Sequence, residues 1–236
     1  MVFESISASG TQPYVIAYIL TAIVSGLAFL WLGKKYEKNV PWTYPIIHFF
    51  IVIWSALMYL NFIYETPLSN YAWYMDWIIS TPLIVAALTL SALYRSKKPK
   101  YYLLGAVMGL QAMLILAGAL AQSTPTSLGT QVFFWFSVAL MFGVFYLIFK
   151  PIRAEAKKTS PILGKKFDYL GIYVIVFWLT YPTVWYFSDV VGIAGGLGAF
   201  ETSLLFVVLP FMCKQAFGFL DLYLLNKAGE EMKAQN

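Results

Sequence analysis

The sequence has few charged residues and a single cysteine. Of its 236 residues only 11% are Asp, Glu, Lys or Arg, about half the fraction of an ordinary soluble domain. So few charges could not cover the surface of a water-soluble globule, and 60% of the residues are hydrophobic. The lone Cys213 excludes an internal disulfide framework and a cysteine-based metal cluster. The composition therefore predicts an integral membrane protein.

Seven apolar stretches are each long enough to cross a bilayer, which takes about 20 helical residues. We place them at approximately 14–33, 42–64, 70–94, 101–122, 130–149, 169–188 and 202–226. The longest connection between them runs from Lys150 to Asp168. No basic residue precedes the first stretch, so the N-terminus does not resemble a cleaved signal peptide. We predict an all-α fold, a single seven-transmembrane-helix domain over residues 1–236.

Lysine and arginine are concentrated on one side of these stretches. Fifteen of the sixteen follow the first, third, fifth or seventh stretch, and the alternate connections contain none. The positive-inside rule assigns the basic side to the cytoplasm. We therefore predict a multi-pass protein of the cell membrane with its N-terminus outside and its C-terminus cytoplasmic. The orientation in the membrane then explains the net charge of +5, which implies no nucleic-acid partner.

The few ionisable residues inside the stretches are candidate functional groups. Lys214 and Asp221 lie in the seventh stretch, Asp76 in the third, and His48, the only histidine, in the second. A charge at mid-membrane costs at least ~2.5–3.5 kcal/mol, so such residues usually serve a function. A buried lysine can pair with a carboxylate as a structural bridge, or lose its proton and act as an amine nucleophile that forms a Schiff base. Both interpretations are open from these residues alone.

Aromatic residues accompany the buried charges. Trp178, Tyr181 and Trp185 lie at i, i+3 and i+7 and therefore share one helix face, and Trp77 follows Asp76 directly. Such a stripe is often simple packing. Together with a lysine and a carboxylate, it also fits a slot for a flat apolar cofactor.

Three segments resemble the third, sixth and seventh helices of microbial rhodopsins: WYMDWIISTPL (73–83), WLTYPTVW (178–185) and LPFMCKQAFGF (209–219). Across all seven stretches the chain most resembles the xenorhodopsins, the inward proton-pumping group. The resemblance implies a membrane photoreceptor and ion transporter rather than an enzyme, embedded in lipid and assembled as a homo-oligomer, by family habit a trimer. It implies all-trans retinal as a covalent, protonated Schiff base to Lys214, with Asp76 as its counterion. It also implies that further side chains bind the retinal, namely Trp73, Tyr74, Trp77, Ser80, Thr81, Pro82, Met113, Ser137, Met141, Trp178, Tyr181, Pro182, Trp185 and Pro210.

Three positions depart from the outward proton pumps of this family. Those pumps carry an arginine three residues before the counterion, a second aspartate four residues before the lysine, and a carboxylic donor eleven residues after the counterion. Here the positions hold Trp73, Pro210 and Ala87. Pro210 also has a structural interpretation, because proline removes a hydrogen bond and kinks a helix, which membrane helices tolerate. These departures argue against outward pumping.

Polar groups accumulate instead on the basic side of Lys214. Asp221 lies seven residues further on, about 10.5 Å along the same helix face, and His48 lies at a similar depth. A lone buried histidine is often structural, but one beside an aspartate could share a proton, since histidine titrates near neutrality. The matching pair in xenorhodopsins is thought to accept the Schiff-base proton. We therefore expect a light-driven inward proton pump in which this pair takes the proton and Asp76 replaces it.

The main alternative is a photosensory rhodopsin that signals through a separate transducer. Proline at position 210 also resembles that of a cyanobacterial sensory rhodopsin. A light-gated channel would need more polar half-channels than these stretches offer. A sodium or chloride pump would need a second acidic site or a basic anion site near the lysine.

Overall fold

The computed structural model of the chain describes residues 10–188 and 196–235. Apart from one bridge between Ser188 and Leu197, the regular structure of this part is helical. The helices are α1 (Gln12–Lys35), α2 (Thr43–Ile63), α3 (Ala72–Ala92), α4 (Tyr102–Ser123), α5 (Ser127–Leu147), α6 (Arg153–Thr159), α7 (Pro161–Phe187), α8 (Ala199–Pro210) and α9 (Phe217–Ala234). A short 3₁₀ turn (Ser69–Tyr71) precedes α3, a π-helical turn (Ile148–Ile152) joins α5 to α6, and a second one (Phe211–Ala216) joins α8 to α9.

These elements form seven helical rods that are long and apolar enough to cross a membrane. The fifth rod runs without a break over Ser127–Thr159, and the seventh over Ala199–Ala234. The predicted all-α bundle with seven transmembrane helices is therefore confirmed. The prediction of a multi-pass membrane protein is confirmed with it. Most rods keep large apolar side chains on their outer faces, such as Leu20, Val24 and Leu27 on α1. A helix that is apolar on every face is expected where lipid replaces water.

The connection expected between Lys150 and Asp168 is wrong, because nearly all of it is helical. Helix continues through the π turn and α6, and α7 begins at Pro161. Ser160 separates the two rods and caps α7, its hydroxyl accepting a hydrogen bond from the Ile162 backbone N–H at 3.2 Å. The guanidinium of Arg153 also donates two hydrogen bonds to the Asp168 carboxylate, at 2.5 and 2.7 Å. This polar sequence therefore extends both helices past the apolar stretches.

The irregular turn in the seventh rod follows from Pro210. Because proline lacks an N–H, the carbonyl of Phe206 four residues earlier loses its helical donor. The hydroxyl of Tyr59 on α2 donates to that carbonyl at 2.5 Å. Directly after Pro210 the backbone widens into the π turn that carries Lys214. Single π turns of this kind often occur at functional sites.

Candidate functional site

Lys214 and Asp76 form a buried ion pair at the centre of the bundle. The lysine Nζ donates to Asp76 Oδ2 and to the hydroxyl of Ser55 at 2.9 Å. Ser55 in turn donates to Asp76 Oδ2 at 2.9 Å, and its oxygen lies 2.6 Å from the hydroxyl of Tyr18. All four side chains are buried. Losing one partner of such a pair costs about 3–5 kcal/mol, since the other charge then stays buried and uncompensated.

Two members of this cluster, Ser55 and Tyr18, are not among the residues singled out from the sequence. Ser55 lies seven residues after His48, so the two share one face of α2. Tyr59 follows Ser55 by four residues on that face and is also buried. A row of polar side chains at this spacing in an apolar helix is the sequence signal that points to Ser55, whereas no such signal marks Tyr18 on α1.

An aromatic cavity lies between α3, α4, α5 and α7, with Trp77, the residue after Asp76, in its wall. Nine of the predicted residues line it, namely Tyr74, Trp77, Thr81, Ser137, Met141, Trp178, Tyr181, Pro182 and Trp185. The Trp77 and Tyr181 rings meet edge to face with centroids 5.3 Å apart. The cavity wall is thus almost wholly apolar, which suits a flat apolar cofactor attached to Lys214.

Residues of α4 and α5 that the sequence analysis did not single out complete this wall. They are Gln111, Leu114, Ile115, Gly118, Phe134 and Val138. A Cβ atom at Gly118 would come within 3.1 Å of the Trp185 ring, so glycine lets that ring approach the α4 backbone. The amide of Gln111 donates to the hydroxyl of Thr81 at 2.9 Å, which links α4 to α3 along the cavity.

The expected position of Met113 in the cavity is wrong. Its side chain is 52% exposed on the outer face of α4. The inward face of that helix is formed by Gln111, Leu114, Ile115 and Gly118, at the spacing of successive turns. Met113 is therefore one residue away from Leu114, which does face the cavity, and one residue turns a side chain by about 100° around the helix axis.

Four other residues that the resemblance assigns to retinal binding do not belong to the lining of this cavity. Trp73, Ser80, Pro82 and Pro210 are all buried, but none of them borders the cavity. Trp73 stacks nearly parallel to Trp77, with centroids 6.5 Å apart and planes 6° from parallel. Trp73 thus packs against a ring of the cavity wall, and retinal binding by these four residues stays a prediction.

A second polar cluster lies on the basic side of Lys214. His48 Nε2 is 2.8 Å from Asp221 Oδ2, and the hydroxyl of Ser91 donates to Asp221 Oδ1 at 2.7 Å. His48 and Asp221 are completely buried. The structure thus brings together the two residues whose matched depth was read from the sequence, and adds Ser91 to them. Such a group can hold one proton between a carboxylate and an imidazole.

The space around His48 is tight on the side away from Asp221. A Cβ atom at Gly218 would lie 2.6 Å from the Phe29 ring and 3.2 Å from His48 Nδ1. That nitrogen has no hydrogen-bond partner among the residues that the structure describes. The Phe217 ring also packs against the imidazole, with centroids 5.7 Å apart. The imidazole is therefore held by one polar contact and by aromatic packing.

The chain is similar in sequence to proteins of known family. A family model described as bacteriorhodopsin-like protein matches residues 9–228. Archaerhodopsin-1 of Halorubrum ezzemoulense is 33% identical over 152 residues, which are 64% of this chain and 55% of that protein. The match thus covers little more than half the length of that relative. Sensory rhodopsin-2 of Haloarcula vallismortis is 37% identical over 163 residues, 66% of this chain and 65% of that protein.

Solved structures resemble more than nine tenths of the chain. The crystal structure of the inward H⁺ pump xenorhodopsin is 46% identical and superposes with a TM-score of 0.89, over 97% of this chain and 99% of that one. The thermophilic rhodopsin from Rubrobacter xylanophilus is 27% identical, with a TM-score of 0.78 over 92% and 98% of the two chains.

Proposed function

The chain belongs to the bacteriorhodopsin-like family of microbial rhodopsins, and from that premise we propose that it is a light-driven inward proton pump. Members of this family bind retinal through a lysine. The proposal adds three things to membership: the ion that moves, the direction in which it moves, and the residues that move it. The 46% identity to a protein described as an inward H⁺ pump supports the ion and the direction, and the residues are argued from the site below.

The site residues fit retinal on Lys214. Its amine is buried, is paired with a single carboxylate, and lies beside a cavity with an aromatic wall. Bound there, retinal would supply a light-driven change in the direction and proton affinity of the Lys214 nitrogen. Asp76 would stabilise the positive charge on that nitrogen in low dielectric. Ser55 would hold the Asp76 carboxylate in place from α2.

The proton acceptor in this proposal is the His48–Asp221 pair. Asp221 accepts hydrogen bonds at Oδ1 from Ser91 and at Oδ2 from His48, so a proton arriving at either oxygen converts an acceptor-only carboxylate into a neutral acid. A second N–H on the imidazole would lack an acceptor among the described residues, at a cost of about 1–3 kcal/mol. This favours Asp221 as the group on which the proton rests.

The opposite side of Lys214 would supply the replacement proton through Asp76. The arginine that outward pumps carry three residues before the counterion is Trp73 here, packed against the Trp77 and Phe206 rings. Pro210 occupies the position of the second aspartate of those pumps. Ala87, which is buried, occupies the position of their carboxylic proton donor. We infer that the basic side is cytoplasmic, as the charge distribution predicts, and that protons therefore move inward.

One observation carries the proposal. A completely buried carboxylate–imidazole pair lies on the basic side of Lys214, where a proton released by that residue can be accepted. On the other side, the arginine and the second aspartate that an outward pump carries near its counterion are replaced here by Trp73 and Pro210.

Replacing Asp221 tests the proposal. In Asp221→Asn the Lys214 nitrogen should lose its proton much more slowly after a flash and transport should stop. The visible absorption band should stay in place, because Asp76 still faces the lysine. Asp168→Asn is the matched control, since Asp168 is an acid on the same side that pairs with Arg153 at the half-exposed helix end. Unchanged transport in Asp221→Asn would remove the pair from the pathway.

A photosensor is the second candidate, favoured by the 37% identity to sensory rhodopsin-2 over two thirds of the chain. A sensor would photocycle without moving net charge, whereas a pump produces a steady photocurrent at zero membrane potential. That current should persist when sodium and chloride are replaced, which separates proton transport from other ion transport. The proposed trimer rests on family resemblance, and cross-linking in native membranes would test it.

A further inference from the structure

A cavity of about 580 Å³ opens on the basic face of the bundle. It lies between the end of α3 and the connections that join α1 to α2 and α3 to α4. Its mouth carries charged side chains, including Glu37, Lys38 and Arg95, and its inner end is formed by Tyr44 and Leu90. It is therefore a water-accessible approach to the part of the bundle that contains His48 and Asp221.

Tyr44 belongs both to the lining of this cavity and to the helix that carries His48. It is buried and lies four residues before His48, one turn away on the same face of α2. Its hydroxyl donates to the carbonyl of Leu90 at 2.8 Å. The next residue on α3, Ser91, donates to Asp221. The Tyr44–Leu90 contact thus lies one residue along α3 from Ser91, the partner of Asp221, and one helical turn along α2 from His48.

The Tyr44–Leu90 hydrogen bond is one that the fold can break at little cost. Helix α3 ends at Ala92, so the Leu90 carbonyl is among the last four, which have no donor within their own helix. Water in the adjoining cavity can replace the tyrosine hydroxyl as a donor to it. The phenol ring is the only part of Tyr44 that must move.

We propose that Tyr44 is the gate through which the transferred proton leaves the His48–Asp221 pair. This rests on the proposed function and adds the exit step to it. With the hydroxyl on Leu90, water does not reach the pair. When the phenol swings away, water enters from the cavity and the O–H bond of protonated Asp221 breaks. The proton passes to that water, and the carboxylate again accepts hydrogen bonds from His48 and Ser91.

The simpler interpretation is that Tyr44 only caps α3. A cap contributes to stability, whereas a gate controls the rate at which protons reach bulk water. The two interpretations therefore differ in the timing of release relative to loss of the proton from the Lys214 nitrogen.

The test is flash-induced proton release from the full chain with retinal, in nanodiscs with a soluble pH dye. Tyr44→Phe keeps the ring and removes the hydroxyl. We expect release to be about two- to tenfold faster, the factor that corresponds to one lost hydrogen bond. The visible band and the rate at which the Lys214 nitrogen loses its proton should not change. If the phenylalanine variant folds poorly, Tyr44→Leu can be measured in its place. It also lacks the hydroxyl and should show the same acceleration of proton release.

Tyr94→Phe is the matched control. The Tyr94 hydroxyl donates to the carbonyl of Asn39 at 2.5 Å in the wall of the same cavity, but Tyr94 does not contact the pair. Its release rate should equal that of the wild type. Wild-type or slower release in both Tyr44 variants would overturn the gate while leaving the pump intact. Absence of any proton release in the wild type would overturn the proposed function and the gate with it.

Discussion

Replacing Tyr59 by phenylalanine should destabilise the protein because of Pro210. The Tyr59 hydroxyl is the donor to the Phe206 carbonyl, which Pro210 deprives of its helical partner. A buried carbonyl left without a donor costs about 1–3 kcal/mol. The ring itself remains and still packs against the Tyr18 ring, with centroids 4.4 Å apart. The substitution should therefore leave no cavity that would destabilise the protein further.

The decisive measurement is a double-mutant cycle with Pro210→Ala. Alanine at 210 restores an N–H that can bond to the Phe206 carbonyl, so removing the Tyr59 hydroxyl in that background should cost well under ~1 kcal/mol. The coupling energy should therefore be about 1–2 kcal/mol, within the range of residues that share a network. Unfolding each variant in mixed micelles with added SDS, with loss of the visible band as the probe, would give each free energy of unfolding.

Tyr173→Phe is the control for this cycle. Its hydroxyl also donates to a carbonyl in the seventh rod, that of Met212, at 2.8 Å, but Pro210 does not free that carbonyl. The cost of Tyr173→Phe should be the same with and without Pro210. If Tyr59→Phe also costs the same in both backgrounds, Tyr59 does not compensate for the proline.

Three further predictions concern the two ends of the site. Gly218→Ala should crowd His48, cost about 1–3 kcal/mol through overpacking, and slow proton transfer to the pair in flash photolysis; normal transfer would mean that the imidazole has room to shift. Ser91→Ala should change the rate at which Asp221 takes and releases its proton, because one of the carboxylate's two hydrogen bonds is lost; infrared difference spectra of the carboxyl stretch report this, and an unchanged band would contradict it. Met141→Ala should shift the absorption maximum, whereas Met113→Ala should leave it in place, since only Met141 borders the cavity; equal shifts would show that the assignment of the α4 inner face is wrong.

Hydropathy and charge were sufficient to predict the fold, and their limits appear at the ends of the helices. Bilayer thickness fixes how long an apolar stretch must be, which is why seven rods could be counted. It does not fix where a helix stops in water. The segment after Lys150 is polar yet helical, because the Ser160 cap and the Arg153–Asp168 ion pair stabilise turns beyond the membrane.

The site was predictable where charge or aromatic spacing marked it. Lys214, Asp76, Asp221 and His48 stand out in apolar stretches since each is costly to bury. Helix α4 carries no such marks; apolar side chains cover most of its faces, so periodicity could not show which face is inward, and Met113 was placed one residue out of register.

Contacts between distant helices were the part that the sequence could not supply. Tyr18 and Ser55 meet across α1 and α2, and Ser91 reaches Asp221 from α3. Each is an ordinary small or aromatic residue in its own segment. Only the packing of the helices brings them to the buried charges.

The central claim is that protons move inward, and the pH of an unbuffered suspension of retinal-supplemented cells under illumination tests it most directly. We expect illumination to make the medium of wild-type cells more alkaline, an effect that a protonophore abolishes, and to cause no alkalinisation with Asp221→Asn. Acidification abolished by the protonophore would mean outward transport and would contradict the roles given to the His48–Asp221 pair and to Trp73 and Pro210. A pigment that photocycles with no change in pH would identify a sensor instead.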